Sequence, residues 1–333
     1  MESFAPLIWI EADRKPAKYF LNSLNIHADL FPNRRRIVVT NSIYREYYKN
    51  VNVTTFALEV LQKSKERKKF DIIKKRWTHN KQQLNYWNNT TKRFFYLYEF
   101  LKYSKIEKSV HLEGDNLLLD STFIDKFLKN RSPQLAYPKQ SANIGCASIL
   151  VINQMEALRK FLGFINLNWN RPDVTDMGLL GEFANKKKYA NFLPSDFQTE
   201  VLNHIFDPVI IGRFFLGTDA RNSRIPFSKR GLFDKSDESF NPSYHKLTID
   251  KYMKIRIQSL LTGREIFLGN IHIHSKRIPK NINRLRKLLI KESNKKRNLV
   301  WKFGRIDFLV SAERIGSFVR RKLKMVNSEV RFR

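Results

Sequence analysis

The segment Lys108–Leu119, Lys-Ser-Val-His-Leu-Glu-Gly-Asp-Asn-Leu-Leu-Leu, constrains the fold more than any other stretch of the chain. Val-His-Leu before the acids and Leu-Leu-Leu after them predict a buried strand over Ser109–Asn116. Alternate strand residues share a face, so His111, Glu113 and Asp115 are expected to point the same way, with Gly114 leaving room at the backbone. Two neighbouring carboxylates repel unless something positive lies between them. A hard divalent cation, Mg²⁺ or Mn²⁺, meets that need and commonly shares its shell with substrate phosphates. A plain acidic strand end is the alternative, but the apolar flanks make the pair too buried for a solvated edge.

The rest of the chain alternates strands with helices. Pro6–Ala12 is expected to be a strand, a helix starts near Pro16, and Arg36–Thr40 is a second strand. Val53–Lys63 has helical spacing and leads into a basic surface segment, Lys65–Arg76. Asn88–Ser104 is a helix with Phe94, Leu97, Tyr98 and Leu101 on one face. A helix near Thr122–Leu128, a strand at Ser148–Ile152 and a helix opened by Asn153-Gln154-Met155-Glu156 follow. This order predicts an α/β fold with a mainly parallel sheet and helices on both faces. Ligands of such sheets bind at the carboxyl ends of the strands, where the acidic pair stands.

Two later segments also carry chemistry. In Gly269–Lys276 the spacing puts His272 and His274 on one strand face with Lys276 beyond them. A histidine can complete a Mn²⁺ shell and a lysine can hold a phosphate. Two satisfied structural histidines are the competing reading. Gly212–Asp219 reads as a loop with two glycines around an aromatic pair; Asp219 could meet a sugar hydroxyl, while an ordinary packed turn is the plainer reading of the segment. Asp176 and Glu182 lie in a loop-to-helix segment, and either could act as a base or a hydroxyl ligand, although an ordinary acid at a helix start is the plainer reading of each.

Composition narrows the classes. The chain has 333 residues, 42% of them hydrophobic, with 26 Phe, enough for a large core. No apolar run is long enough to span a bilayer, and the start lacks the basic and apolar stretches of a secretory signal. Cys146 is the only cysteine, so an internal disulfide is impossible and a reducing, cytoplasmic setting is expected. Dinucleotide, P-loop and Gly-x-Ser-x-Gly signatures are absent. The net charge of +31 implies polyanionic partners, and nearly half of it lies in 276–333, where 19 Lys and Arg face 4 Asp and Glu.

In order, these pieces resemble a GT-A-type nucleotide-sugar glycosyltransferase of the bacterial surface-polysaccharide kind. The carrying residues are Thr91–Leu97 leading into His111–Asn116, then Asp176-Met177, Phe206-Asp207, Gly212–Asp219 and Ile271–Lys276. The resemblance implies a GT-A-like, Rossmann-like catalytic domain over 1–275, with a nucleotide-binding half (1–120) and an acceptor-side half (121–275). The basic, partly helical extension 276–333 lies outside it. It further implies metal ligation by Asp115, with Glu113 on the ribose or through water, and a late metal contact from His272 or His274. Lys276, and Arg93 from the helix before the motif, would meet the diphosphate. Glu113-Gly114-Asp115 departs from the family's Asp-x-Asp. The implied partners are a nucleotide-diphosphate sugar donor and a saccharide or lipid-linked acceptor.

For the extension, Ile306–Met325 mixes apolar and basic residues in a way that suits an anionic membrane surface, and a basic helix packed on the domain suits it equally. A peripheral position on the inner membrane face follows from the first reading. The rival reading from another class is a Mg²⁺-dependent nucleic-acid-processing or nucleic-acid-binding protein, favoured by charge. It lacks a recognisable nucleic-acid motif and a further clustered acid.

Overall fold

The structure, a computed structural model, describes residues 4–73, 81–129, 134–171, 174–186, 189–196, 201–217 and 245–303, with the backbone alone for 81–85 and 295–303. The first half alternates as the apolar runs predict. Strand β1 (Leu7–Glu11) leads through helix α1 (Lys18–Leu30) to β2 (Arg36–Thr40) and β3 (Thr54–Ala57). Helices α2 (Lys65–Ile73) and α3 (Lys81–Ser104) then return the chain to β4 (Ser109–Leu112). After β5 (Asn116–Leu118) and α4 (Thr122–Phe127) come β6 (Leu135–Ser141), β7 (Ile144–Gly145) and β8 (Ile149–Ile152). Helices α5 (Met155–Asn168) and α6 (Asp176–Lys186) precede β9 (Ala190–Leu193).

The main sheet runs β3-β2-β1-β4-β8-β6-β7, with β9 also paired to β6. Pairs β3–β2, β2–β1, β1–β4 and β6–β9 are parallel, while β4–β8, β8–β6 and β6–β7 are antiparallel. Both faces are covered. Ile8, Val39, Leu150 and Ile152 pack with Phe70, Phe94, Leu97, Phe161 and Phe183 from α2, α3, α5 and α6. The alternate residues Leu7, Trp9, Val38, Val110 and Ile149 pack with Phe20 and Leu24 of α1 and Ile124 of α4. Strands buried on both faces carry near-continuous apolar sequence, which is why Leu-Ile-Trp-Ile and Ile-Leu-Val-Ile were legible as strands.

A second core forms around β5. Strands β10 (His204–Ile205), β11 (His245–Ile249), β12 (Ile255–Ser259) and β13 (Glu265–Leu268) make a small sheet in the order β10-β13-β12-β11. Strand β14 (Asn270–His272) then returns to pair antiparallel with β5, His272 opposite Asn116. Helix α7 (Ile210–Leu216) and helix α8 (Ile282–Phe303) close this core. Leu285 and Leu289 of α8 are fully buried beside Ile271 and Phe214, so the basic segment is continuous with the body where it begins. Among the described residues no helix is long and apolar enough to cross a membrane. Residues 304–333, including Ile306–Met325, lie outside the described residues.

Three local expectations are corrected. The helical spacing of Val53–Lys63 gives way to β3 and a short 3₁₀ turn at Leu58–Val60, because Thr54-Thr55-Phe56-Ala57 pairs in register with Ile37–Thr40. Gly212–Gly217, read as a loop, is mostly helix α7. Helix α5 starts at Met155, with Gln154 as its N-cap position and no side-chain cap.

Candidate functional site

The predicted strand Ser109–Asn116 is broken at the acids. β4 stops at Leu112, and a tight turn follows in which the Asn116 N–H donates to the Glu113 carbonyl at 3.1 Å. Gly114 is required there, since a Cβ would come within 2.8 Å of the Phe20 ring. The turn ends the alternation that would have grouped His111 with Glu113 and Asp115. His111 stays in the core, its Nδ1 3.0 Å from the Ile8 carbonyl. Burial, with the Arg93 charge, pushes its pKa down to about 3. His111 is a neutral structural histidine.

The turn meets β14. Asp115 accepts the Ile273 N–H through its carbonyl at 2.7 Å, and the β5–β14 pairing carries His272 to the acids. His272 Nε2 lies 3.6 Å from Asp115 Oδ1 and 3.8 Å from Glu113 Oε2. One ligand atom from each of Glu113, Asp115 and His272 falls within 4.8 Å of the others. His272 Nδ1 is 3.1 Å from the Pro208 carbonyl, which fixes the proton there and turns Nε2 toward the carboxylates. Hard carboxylate oxygens with one oriented imidazole suit Mn²⁺ or Mg²⁺, and the geometry fits such an ion.

The side chains of the site compensate one another's charge. Burial works against ionisation of Asp115, yet the His272 charge and hydrogen bond, and then Lys276, hold its carboxyl below the ordinary carboxylate range. Burial likewise opposes the His272 charge, and Asp115 overcomes it, raising the imidazole well above its ordinary pKa. Lys276 adds its ammonium 4.0 Å from Asp115 Oδ2 and 5.5 Å above the Tyr19 ring. Its φ of 59° places it in the left-handed region, a strained choice for lysine that often marks a functional turn.

Arg93, expected to meet the diphosphate, lies against two acids at the edge of this cluster. From α3 its guanidinium bridges Glu113 Oε1 and Asp176 Oδ2, the latter at 3.3 Å. Asp176 opens α6 and is 2% exposed. Burial raises its pKa to about 6; Arg93 opposes the rise and Glu113 adds to it.

Sequence reasoning singled out Asp207 and Gly212 but gave neither a role in the scaffold behind His272. Asp207, fully buried, accepts N–H groups from Val209, Ile211 and Gly212 of the α7 start at 2.9, 3.0 and 2.8 Å. Its Oδ2 also accepts the His272 N–H at 3.0 Å. Asn270 donates to the carbonyl of Asp207 at 3.0 Å and to Asn116 Oδ1 at 2.8 Å, tying the three segments together. Gly212 lets α7 lie directly on β14, because a Cβ would stand 2.0 Å from the His272 carbonyl. Cys146 Sγ reaches the Pro208 carbonyl at 2.9 Å, beside the same imidazole. Glu11, at the end of β1, is buried, paired with Arg14 and close enough to feel the Asp115 charge. A strand-terminal acid was the one available signal for it.

Other expected residues stand apart from this cluster. β14 ends at His272, and the His274 N–H bonds back to the His272 carbonyl at 3.0 Å, which breaks the strand alternation. The two rings are 6.3 Å apart, and burial together with the His272 and Arg213 charges lowers His274 to about 4. Glu182 is held by Arg171 at 2.7 Å and Lys186 at 3.2 Å. Asp219 lies outside the described residues.

No family description matches the chain, and no curated protein matches it. Among solved structures it is similar to the PaToxG glycosyltransferase at 11% identity, over 54% of this chain and 69% of that one, with a TM-score of 0.37. It is similar to the galactosyltransferase LgtC in complex with donor and acceptor sugar analogues at 12% identity, over 70% and 85%, with a TM-score of 0.36. A cytidylyltransferase from Leptospira borgpetersenii is similar at 18% identity, over 57% and 76%, with a TM-score of 0.33. The chain spans 45% of the Streptococcus pneumoniae glycosyltransferase GlyE, at 11% identity over 58% of its own length and a TM-score of 0.33. Several of these are glycosyltransferases.

Proposed function

We propose that the chain is a metal-dependent glycosyltransferase that moves a sugar from a nucleotide-diphosphate donor to a saccharide or lipid-linked acceptor. The observation that carries this reading is the convergence of Asp115, Glu113 and the oriented His272 Nε2 at the strand ends, with Lys276 beside them. Asp115 and His272, with one oxygen of Glu113, would hold Mn²⁺ or Mg²⁺. When bound, the ion supplies Lewis-acid stabilisation of the departing diphosphate.

The chain's own groups divide the remaining work. Lys276 places a cation where the phosphates would lie and needs only a modest swing to leave Asp115. Pro208, Asp207 and Asn270 hold the imidazole and its strand, so the site is organised before substrate arrives. Asp176 is the base candidate: with its pKa at about 6 it is ionised at neutral pH and basic enough to accept the proton of an acceptor hydroxyl. Arg93 keeps it in place. Glu182 is engaged by a surface ion pair and receives no role, and neither does His274. Asp219 stays with the proposal as a contact to a sugar hydroxyl. The basic segment 276–333 is proposed to hold the enzyme on an anionic inner membrane surface.

Thermal-shift measurements with UDP, GDP and nucleotide sugars, each with and without Mn²⁺, test this reading. Stabilisation that requires both nucleotide and metal is expected. The net charge of +31 favours the second reading, a nucleic-acid enzyme, and stabilisation by oligonucleotides alone would replace the first with it.

A further inference from the structure

The two oxygens of Glu113 face different partners. Oε1 is taken by Nη1 of Arg93, while Oε2 faces His272 Nε2 at 3.8 Å. Arg93 is not free to follow an incoming ion. Its other arm is 3.3 Å from Asp176 Oδ2, and Asp176 Oδ1 accepts the Met177 N–H at 3.0 Å at the start of α6. The Arg93 backbone belongs to α3, between turns that bury Phe94, Leu97 and Leu101 completely. A guanidinium keeps its charge at every accessible pH and has no proton to surrender to a competing cation. It is thus fixed from two helices, and it occupies the oxygen that a second bond to a metal would need.

We infer that Arg93 is a positioning residue that makes Glu113 a one-oxygen ligand and thereby sets the ion preference of the centre, toward Mn²⁺ and Mg²⁺ and against Ca²⁺. The inference rests on the metal reading proposed above. Small divalent ions demand six near-octahedral ligands at about 2.0–2.2 Å, which single carboxylate oxygens, an imidazole and water supply. Ca²⁺ takes about 6–8 oxygens at about 2.3–2.6 Å and readily uses both oxygens of one carboxylate. The Arg93–Glu113 contact removes that option at Glu113. The departure from Asp-x-Asp acquires a purpose here: the longer glutamate reaches Arg93 with one oxygen while the other stays at the centre.

Calorimetric titration of the full chain with Mn²⁺ and with Ca²⁺, without nucleotide, gives the ratio of their dissociation constants. The wild type is expected to favour Mn²⁺. In Arg93→Met the ratio should fall about tenfold, an effect of the size that outer-sphere changes commonly have on metal affinity, with Ca²⁺ favoured relative to Mn²⁺. Arg93→Lys, which keeps the charge and loses the two-armed bridge, should shift it in the same direction by a smaller factor. It serves as the informative variant if circular dichroism shows that Arg93→Met is unfolded. A ratio unchanged within twofold in a folded variant overturns the inference and leaves the metal reading standing, provided Asp115→Asn abolishes Mn²⁺ binding. A wild type that binds neither ion overturns both.

Discussion

Glu113 and Asp115 stand two residues apart on one turn, yet their surroundings are built on different terms. On the Glu113 side, Arg93 closes an ion pair that cannot be opened by proton transfer and extends it to Asp176. On the Asp115 side, the partners are His272, which can give up its proton, and Lys276, which can swing away. The first half is a fixed frame and the second is a place where one cation can exchange for another. An acidic pair is therefore not one site with two equivalent ligands. Under the proposed function, phosphate meets the exchangeable half, the acceptor base Asp176 belongs to the fixed half, and Glu113 lies between them.

The comparison fails most visibly if Asp115 is dispensable. Asp115→Asn should lower metal-dependent transfer or donor hydrolysis by at least about 100-fold while the thermal midpoint stays close to wild type. Unaltered turnover would move the cation elsewhere. The scaffold behind the exchangeable half is expected to be costly to disturb. Asp207→Ala leaves several buried N–H groups unsatisfied and should destabilise the fold by about 2–4 kcal/mol in denaturant unfolding. Gly212→Ala forces α7 away from the His272 carbonyl, so weakened Mn²⁺ binding should accompany a loss of about 1–3 kcal/mol.

The fixed half has a pH signature. Asp176 has its carboxyl raised from 3.8 to about 6 in the fold, so the protonated form is the better accommodated one. The stability it contributes is complete below pH 3.8 and is lost as pH rises through about 6. Metal-free wild type should lose thermal stability across that window, and Asp176→Asn should flatten the loss. A wild-type profile already flat there would remove the buried, strained carboxyl. The smallest effect belongs to a residue outside both halves: Glu182→Gln breaks a partly exposed pair with Arg171 and should change stability by less than about 1 kcal/mol.

The uneven legibility of the sequence follows the same divide. β1, β2 and β8 were readable because strands buried on both faces are continuous apolar runs, and α3 because Phe94, Leu97, Tyr98 and Leu101 repeat at helical spacing. Asp115, His272 and Lys276 were each visible as chemistry-bearing types. Their meeting depends on β5 pairing with β14 across more than a hundred and fifty residues, which leaves no local signal. The Arg93–Asp176 bridge, 83 residues apart in sequence, is hidden for the same reason. Alternation misled at both ends of the site, because a turn at Gly114 and the end of β14 at His272 each stop a strand that the residue types alone would continue.

The exchange proposed at the Asp115 side is of a His272 proton for a metal ion. Titration of Mn²⁺ at pH 7, in buffers of differing ionisation enthalpy, counts the protons released on binding. Asp115 raises the His272 pKa, so metal binding at this imidazole is expected to release protons, and His272→Gln should abolish the release while weakening binding. Binding with no proton released by the wild type, or with the same release from His272→Gln, would contradict the account.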